Sequence, residues 1–276
     1  MKGNEIALVY MVAGISSRFL GKIKQFATVG PNGETLIEFS LKQSLPAGFS
    51  KIIFIVGNKT EKPFREKFGN NYKGIPVYYA QQFYDESSRD RPWGTTDALC
   101  SAKSLLNCPF VVCNGDDLYG ENSFRILAEH LKKNNDCAVL GFNLKDVLPD
   151  NGKTNRGIFQ YDKNGFVTEI KEIIGIEKSD IGKAFPENSL CSMNIFAFQP
   201  EVLNDLSFIL AQFKDKNKED RRAEALLPED ISSLVRQKKI SMKIYPASDT
   251  WIGITNPEDE EIVRRKLAGS IPAGGD

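Results

Sequence analysis

The apolar run VYMVA, residues 9–13, gives way to a turn that carries Gly14, Ser16, Ser17 and Arg18, with Lys24 shortly after. A glycine-containing turn at the end of an apolar strand presents unpaired backbone N–H groups, and such groups bind phosphate oxygens. Ser16 and Ser17 add hydroxyls, and Arg18 and Lys24 add positive charge. A guanidinium is a planar fork for two phosphate oxygens and an ammonium a compact point charge, so the chemistry open to these residues is polyphosphate binding. Two common phosphate loops are excluded, because no GK[ST] follows Gly14 at the required spacing and Gly-x-Gly-x-x-Gly is absent. An ordinary strand-to-loop turn is the competing reading.

Such a turn needs a sheet behind it. Short β-branched or aromatic runs recur at 6–13, 51–57, 75–80, 109–116, 137–144 and 192–198, several of them apolar on both faces. Segments with helical periodicity lie between and after them at 34–45, 95–106, 123–133, 200–213 and 228–237. The alternation predicts an α/β fold, a Rossmann-like mixed and mostly parallel sheet flanked by helices. Asn256 and Pro257 open a closing helix over 257–267, with acidic residues in its first turn and basic ones in its last. A single domain over 1–267 and a frayed tail over 268–276 are therefore expected. The charged stretch YDESSRDRPW, 84–93, reads as a surface excursion or a lid, with Trp93 as its anchor.

At 276 residues, 41% hydrophobic and 26% charged, the chain can bury a sizeable core. Thirty-six basic residues balance 36 acidic ones, which favours a small ligand over nucleic acid or an anionic membrane. Cys100, Cys108, Cys113, Cys137 and Cys191 form no CxxC pair and are odd in number, so they read as reduced thiols in a reducing compartment. The N-terminal apolar run breaks at Gly14, too early for a membrane span or a secretion signal, and a cytoplasmic protein is expected.

Over VAGISSRFLGKIKQFATVGPNGETLIEFSL the sequence resembles the sugar-phosphate nucleotidyltransferases (nucleotide-sugar pyrophosphorylases), whose apolar strand is followed by AGxGxR and then a PK or KQ lysine. Ser16 stands at the second glycine. The resemblance continues in order to about residue 259. YYAQQ and WGTTDALCSAK are similar to the family's Q…LGTAHAL, which implies that Gln81 or Gln82 and the backbone of Gly94 and Thr95 read the base. With Ala13, Gly14, Ser16 and Ser17 these make up the implied nucleotide-binding set. PFVVCNGDDLYG resembles the strand end whose first aspartate holds the catalytic magnesium, here Asp116. GIFQYDKNGFVTEIKE and SMNIFAFQPEV resemble the substrate-contacting segments and imply Gly157, Glu172 and Asn194.

Two positions depart from the pattern. The lysine of the family's EKP, which touches the phosphates of the sugar substrate, is replaced by Ile173, and Lys171 is the nearest substitute. The second metal aspartate of WlDiGTpe falls on Gly253 in WIGITNPED, and Asp249 is the candidate ligand. The resemblance implies the nucleotide-diphospho-sugar transferase fold, Mg2+ as cofactor, and a nucleoside triphosphate and a sugar phosphate as partners. The tail ITNPED is also similar to that of cytidylyltransferases acting on non-sugar alcohol phosphates.

Nucleotidyl transfer is an in-line attack by a phosphate oxygen on the α-phosphorus, so the protein's work is positioning and charge neutralisation. Arg18, Lys24 and Lys171 are the expected catalytic cations, and Asp116, beside Asp117, the expected magnesium ligand. A glycosyltransferase of related fold and a non-catalytic nucleotide-binding paralogue are the rival readings, and a homo-oligomer stays open. His130, the lone histidine, is expected to face solvent and precludes a two-histidine metal site.

Overall fold

Strand β1 (Ala7–Met11) is apolar along its whole length because both of its faces are covered. Ile6, Leu8, Tyr10 and Val12 enter one core, and Ala7, Val9 and Met11 enter another. The computed structural model describes residues 5–14, 19, 22–254 and 259–269. After β1 come α1 (Leu36–Ser44), β2 (Lys51–Val56), α2 (Glu61–Phe68), β3 (Asn71–Tyr72), β4 (Ile75–Gln81) and α3 (Thr95–Ser101). The middle of the chain forms β5 (Phe110–Asn114), β6 (Asp117–Leu118), α4 (Glu121–Lys133), β7 (Cys137–Asn143), the single turn α5 (Leu144–Val147) and a long hairpin, β8 (Thr154–Tyr161) with β9 (Val167–Ile176). Then follow β10 (Leu190–Cys191), β11 (Phe196–Phe198), α6 (Val202–Lys216), α7 (Leu227–Arg236), β12 (Met242–Pro246), β13 (Ile252–Gly253) and α8 (Asp259–Gly269).

The large sheet runs β3-β4-β2-β1-β5-β11-β7-β10-β8-β9, with β12 beside β7. Strands β4, β2, β1 and β5 are mutually parallel, so the loops after them gather at one edge. Ile37, Leu41, Phe64, Phe68 and Phe124 of α1, α2 and α4 cover one face of the sheet. Leu99, Leu206, Ile231 and Leu234 of α3, α6 and α7 cover the other. This is the mixed α/β fold that the periodicity predicts. A two-stranded ribbon, β6 with β13, sets Gly253 opposite Asp117 and so carries the Trp251 segment to the same edge.

The six predicted strands and five predicted helices all occur, with shifted ends. Missing from the sequence reading are α2, the β8–β9 hairpin, β12 and the short elements β3, β6, α5, β10 and β13. EKPFREKF shows only Phe64 and Phe68 as its apolar pair, both buried, and the hairpin is largely polar on its outer face. The closing helix reaches Gly269, while Asn256 and Pro257 and the chain after 269 lie outside the described residues. His130 is a correction: it is buried under Tyr245, not exposed. Its Nε2 meets the carbonyl of Asp136 at 3.0 Å, which can only accept, so Nδ1 accepts from the Tyr245 hydroxyl at 3.0 Å. All five cysteines are free, four of them buried.

The 84–93 loop is fastened down. Arg89, 4% exposed, lies 3.3 Å over the Trp93 ring and donates to the carbonyls of Arg91, Asp220 and Ala223. Backbone bonds from Asp90 to Arg221 and from Ala225 to Trp93 continue the seam. Trp93 also packs edge-on against Phe213. The loop and residues 217–226 therefore form one wall, and the exposed Arg221–Asp90 and Arg91–Glu224 ion pairs add little to it. Arg89→Ala should cost about 2–3 kcal/mol in urea unfolding, through lost charged hydrogen bonds to carbonyls. Amide exchange should rise in 84–93 and 217–226 while the central strands keep their protection; unchanged exchange in both segments would contradict the seam.

Candidate active site

Two cavities meet at the carboxyl edge of the parallel strands, and Lys24, Asn114, Asp116 and Asn194 line both. The larger, about 730 Å³, runs from Ala13 and Gly14 past Gln82 to Gly94 and Thr95. The smaller, about 390 Å³, is walled by Gly157, Glu172 and Trp251. Lys24 Nζ lies 2.8 Å from Asp116 Oδ2 at the junction. β5 brings Asp116 there, and a short 3-10 turn, Lys24–Phe26, brings the lysine.

Charge is concentrated at this seam. Asp117 accepts from Asn114 Nδ2 at 3.0 Å and from the Tyr119 hydroxyl at 3.2 Å. Burial, and then the charge of Asp116, push its carboxyl well above the ordinary range, while Lys24 pulls the other way. Glu172 is also raised, first by burial and then by Glu229, with Arg156 opposing.

Of the nucleotide-side expectations that fall on described residues, all but Gln81 converge. Gln82 is buried and donates through Nε2 to the Gly94 carbonyl at 3.0 Å and to Asp97 Oδ2 at 2.8 Å, so its amide is held at the cavity wall. Gly94 has φ +97°, and a Cβ there would stand 2.4 Å from the Ala225 carbonyl oxygen, so only glycine lets the wall segment approach. The Thr95 hydroxyl accepts from Leu227 N–H at 2.9 Å. Gln81 instead faces outward and donates to Asn58. Ser16, Ser17 and Arg18 lie outside the described residues.

On the other side Gly157, Glu172 and Asn194 all line the smaller cavity. Asn194 takes φ +58°, a left-handed conformation that asparagine tolerates. Lys171 is not brought in: it is exposed, follows Ile170 and precedes Glu172 on β9, and lines neither cavity. Asp249 is not brought in either. Its Oδ2 accepts from Ser123 N–H at 2.8 Å and its Oδ1 from Asn122 Nδ2 at 3.1 Å, so both oxygens cap the start of α4.

The sequence pattern of the nucleotidyl transferase family matches residues 21–268. The chain belongs to that family. No curated protein matches it. Its fold is that of a Bacillus anthracis protein described as a glucose-1-phosphate thymidylyltransferase, solved with sucrose, at 16% identity, 98% coverage of both chains and TM-score 0.70. A UDP-glucose pyrophosphorylase complexed with UDP-glucose matches at 16% identity, 97% and 99% coverage and TM-score 0.66. HddC from Yersinia pseudotuberculosis, complexed with GMP-PN, matches at 16%, 95% and 99% coverage and TM-score 0.61. Among the described residues of this nucleotidyl transferase, no helix is long and apolar enough to cross a membrane.

Sequence reasoning missed Arg156 and Trp251, which line the smaller cavity. The only signal for Arg156 was its place before Gly157. Asp249→Ala should lower stability by about 1 kcal/mol in urea unfolding, the cost of a lost helix cap. A loss below about 0.3 kcal/mol would remove the capping role.

Proposed function

We propose that this nucleotidyl transferase joins a nucleoside triphosphate to a sugar 1-phosphate, or a similar phosphorylated substrate, and releases pyrophosphate. The observation that carries the proposal is the single Lys24–Asp116 seam between two polar cavities. The larger takes the nucleotide, with Gln82 and the Gly94–Thr95 backbone against the base and Ala13, Gly14, Ser16, Ser17 and Arg18 toward the triphosphate. The smaller takes the second substrate against Gly157, Glu172 and Asn194. Attack then crosses the seam, where Lys24 neutralises charge that grows on the departing pyrophosphate.

Adjacent Asp116 and Asp117 carboxylates fit a divalent cation. They are hard oxygen donors, the charge of one raises the other, and a cation between them relieves that repulsion. No group of three or more histidine, cysteine or acidic side chains forms a metal cage among the described residues. Asp116 and Asp117 would thus share Mg2+ with substrate phosphates and water, the usual manner for that ion. When bound, the ion supplies charge neutralisation at the α-phosphate. Five free thiols support a cytoplasmic setting, and neutral net charge supports small molecules over nucleic acid or membrane as partners.

A matrix of four nucleoside triphosphates against sugar and alditol phosphates, read by pyrophosphate release, tests the reading. Release only with both substrates is expected; release with none would favour a non-catalytic binder, and turnover of preformed nucleotide sugars a glycosyltransferase. Lys24→Ala should lower turnover about a hundred- to a thousand-fold, the usual effect of removing a preorganised donor, and change the KM of the second substrate far less. Asp116→Asn should lower turnover by orders of magnitude with the fold intact, and a chelator should do the same to the wild type. Normal turnover in either variant would overturn its role.

A further inference from the structure

Four consecutive residues, Thr154, Asn155, Arg156 and Gly157, line the smaller cavity. A regular strand cannot do this, because successive side chains point to opposite faces. The register explains it: Thr154 pairs with Ile176 but Arg156 with Ile173, so the ladder slips between them. Such irregularities re-aim side chains beside functional sites. The Asn155 side chain braces the slip by accepting from Gly175 N–H at 3.0 Å.

The guanidinium is held by neutral acceptors, and the carboxylate of the same cavity that feels its charge is Glu172. Nη1 donates to Thr154 Oγ1 and the Asn155 carbonyl, both at 2.9 Å, and Nη2 donates to the Val147 carbonyl at 3.1 Å. Among the described residues no carboxylate forms an ion pair with it, and its buried Nε–H has no partner. The Trp251 ring stands 5.9 Å from its Cζ, and the buried Trp251 Nε1–H also lacks a partner. Both orphaned donors are buried behind residues that line one polar cavity, and one of them is on a cation; each is costly while it stays unmatched. Trp251 is locked in place, since a Cβ on Gly253 would stand 2.3 Å from the indole Cζ2.

We infer that Arg156 and Trp251 form an anion anchor in the smaller cavity that holds the phosphate of the second substrate. Resting on the proposed transfer reaction, the anchor supplies from β8 the positive charge that β9 lacks at Ile173, directly across the ladder. A phosphate brings both acceptors and charge for the guanidinium, and an uncharged alcohol meets only part of that demand.

Calorimetry with inorganic phosphate and with glucose 1-phosphate tests the anchor in the full chain. Arg156→Gln should weaken both about ten- to hundred-fold, the worth of a charged hydrogen bond with its buried partner. Arg156→Lys should recover part of the loss, Trp251→Phe, which keeps the packing, should cost several-fold, and Lys163→Ala at the hairpin turn should change nothing. Nucleoside triphosphate affinity should stay at its wild-type value, while the melting temperature of Arg156→Gln should fall with its lost carbonyl bonds. Wild-type affinity for both probes in Arg156→Gln, or in Arg156→Lys and Trp251→Phe together should the glutamine variant not fold, would overturn the anchor. So would a wild type that binds nucleotide but neither probe. Phosphate binding that depends on Arg156 in a chain that binds no nucleotide would leave the anchor standing and overturn the transfer reaction.

Discussion

The contact between Lys24 and Asp116 is where the molecule's two halves of chemistry touch. The side chains are 13% and 31% exposed, so each charge is partly withdrawn from water and leans on the other. Removing either partner would leave the other poorly solvated. The pair exists because β1 and β5 are parallel neighbours: Val9 pairs with Val112 and Met11 with Asn114, so the loops after the two strands leave together. Parallel strands must be buried on both faces, which accounts for the unbroken apolar run through β1 and for the two cores that sandwich it. The polar chemistry is thus displaced to the sheet edge, where backbone ladders end and free groups are available.

Around that seam the two cavities are built differently. The larger cavity is closed by a wall sewn from distant segments, with Arg89 serving three main-chain carbonyls and Gly94 admitting the Ala225 backbone. Its hydrogen bonds are largely internal, so it holds its shape before a ligand arrives. The other side rests on a twisted hairpin and leaves donors unmatched at Arg156 and Trp251.

Local electrostatics also account for the departures from the family pattern. An aspartate at 253 would meet the indole of Trp251 and would set a third carboxylate beside Asp117, whose carboxyl is already raised by burial and by Asp116. Glycine at 253 avoids both the clash and the added repulsion. Asp249 could not replace that ligand without uncapping α4.

What the sequence determined by itself is what periodicity and punctuation carry: the apolar strands and the amphipathic helices, because burial on two faces or one leaves a direct trace in residue order. Gly94, Asp116, Gly157, Glu172 and Asn194 were legible as a set through ordered motifs. Other features depended on pairs remote in sequence. His130 lies on a helical stretch that looks solvated until Tyr245 covers it. Lys171 and Arg156 are both basic residues on one hairpin, and only the slipped register of β8 against β9 turns the second into the cavity. Asp249 and Asp117 are both acidic, and only the folded chain gives one to a helix end and the other to the seam. Residue type sets what chemistry is available, whereas direction and neighbours are properties of the packed backbone, which no local window contains.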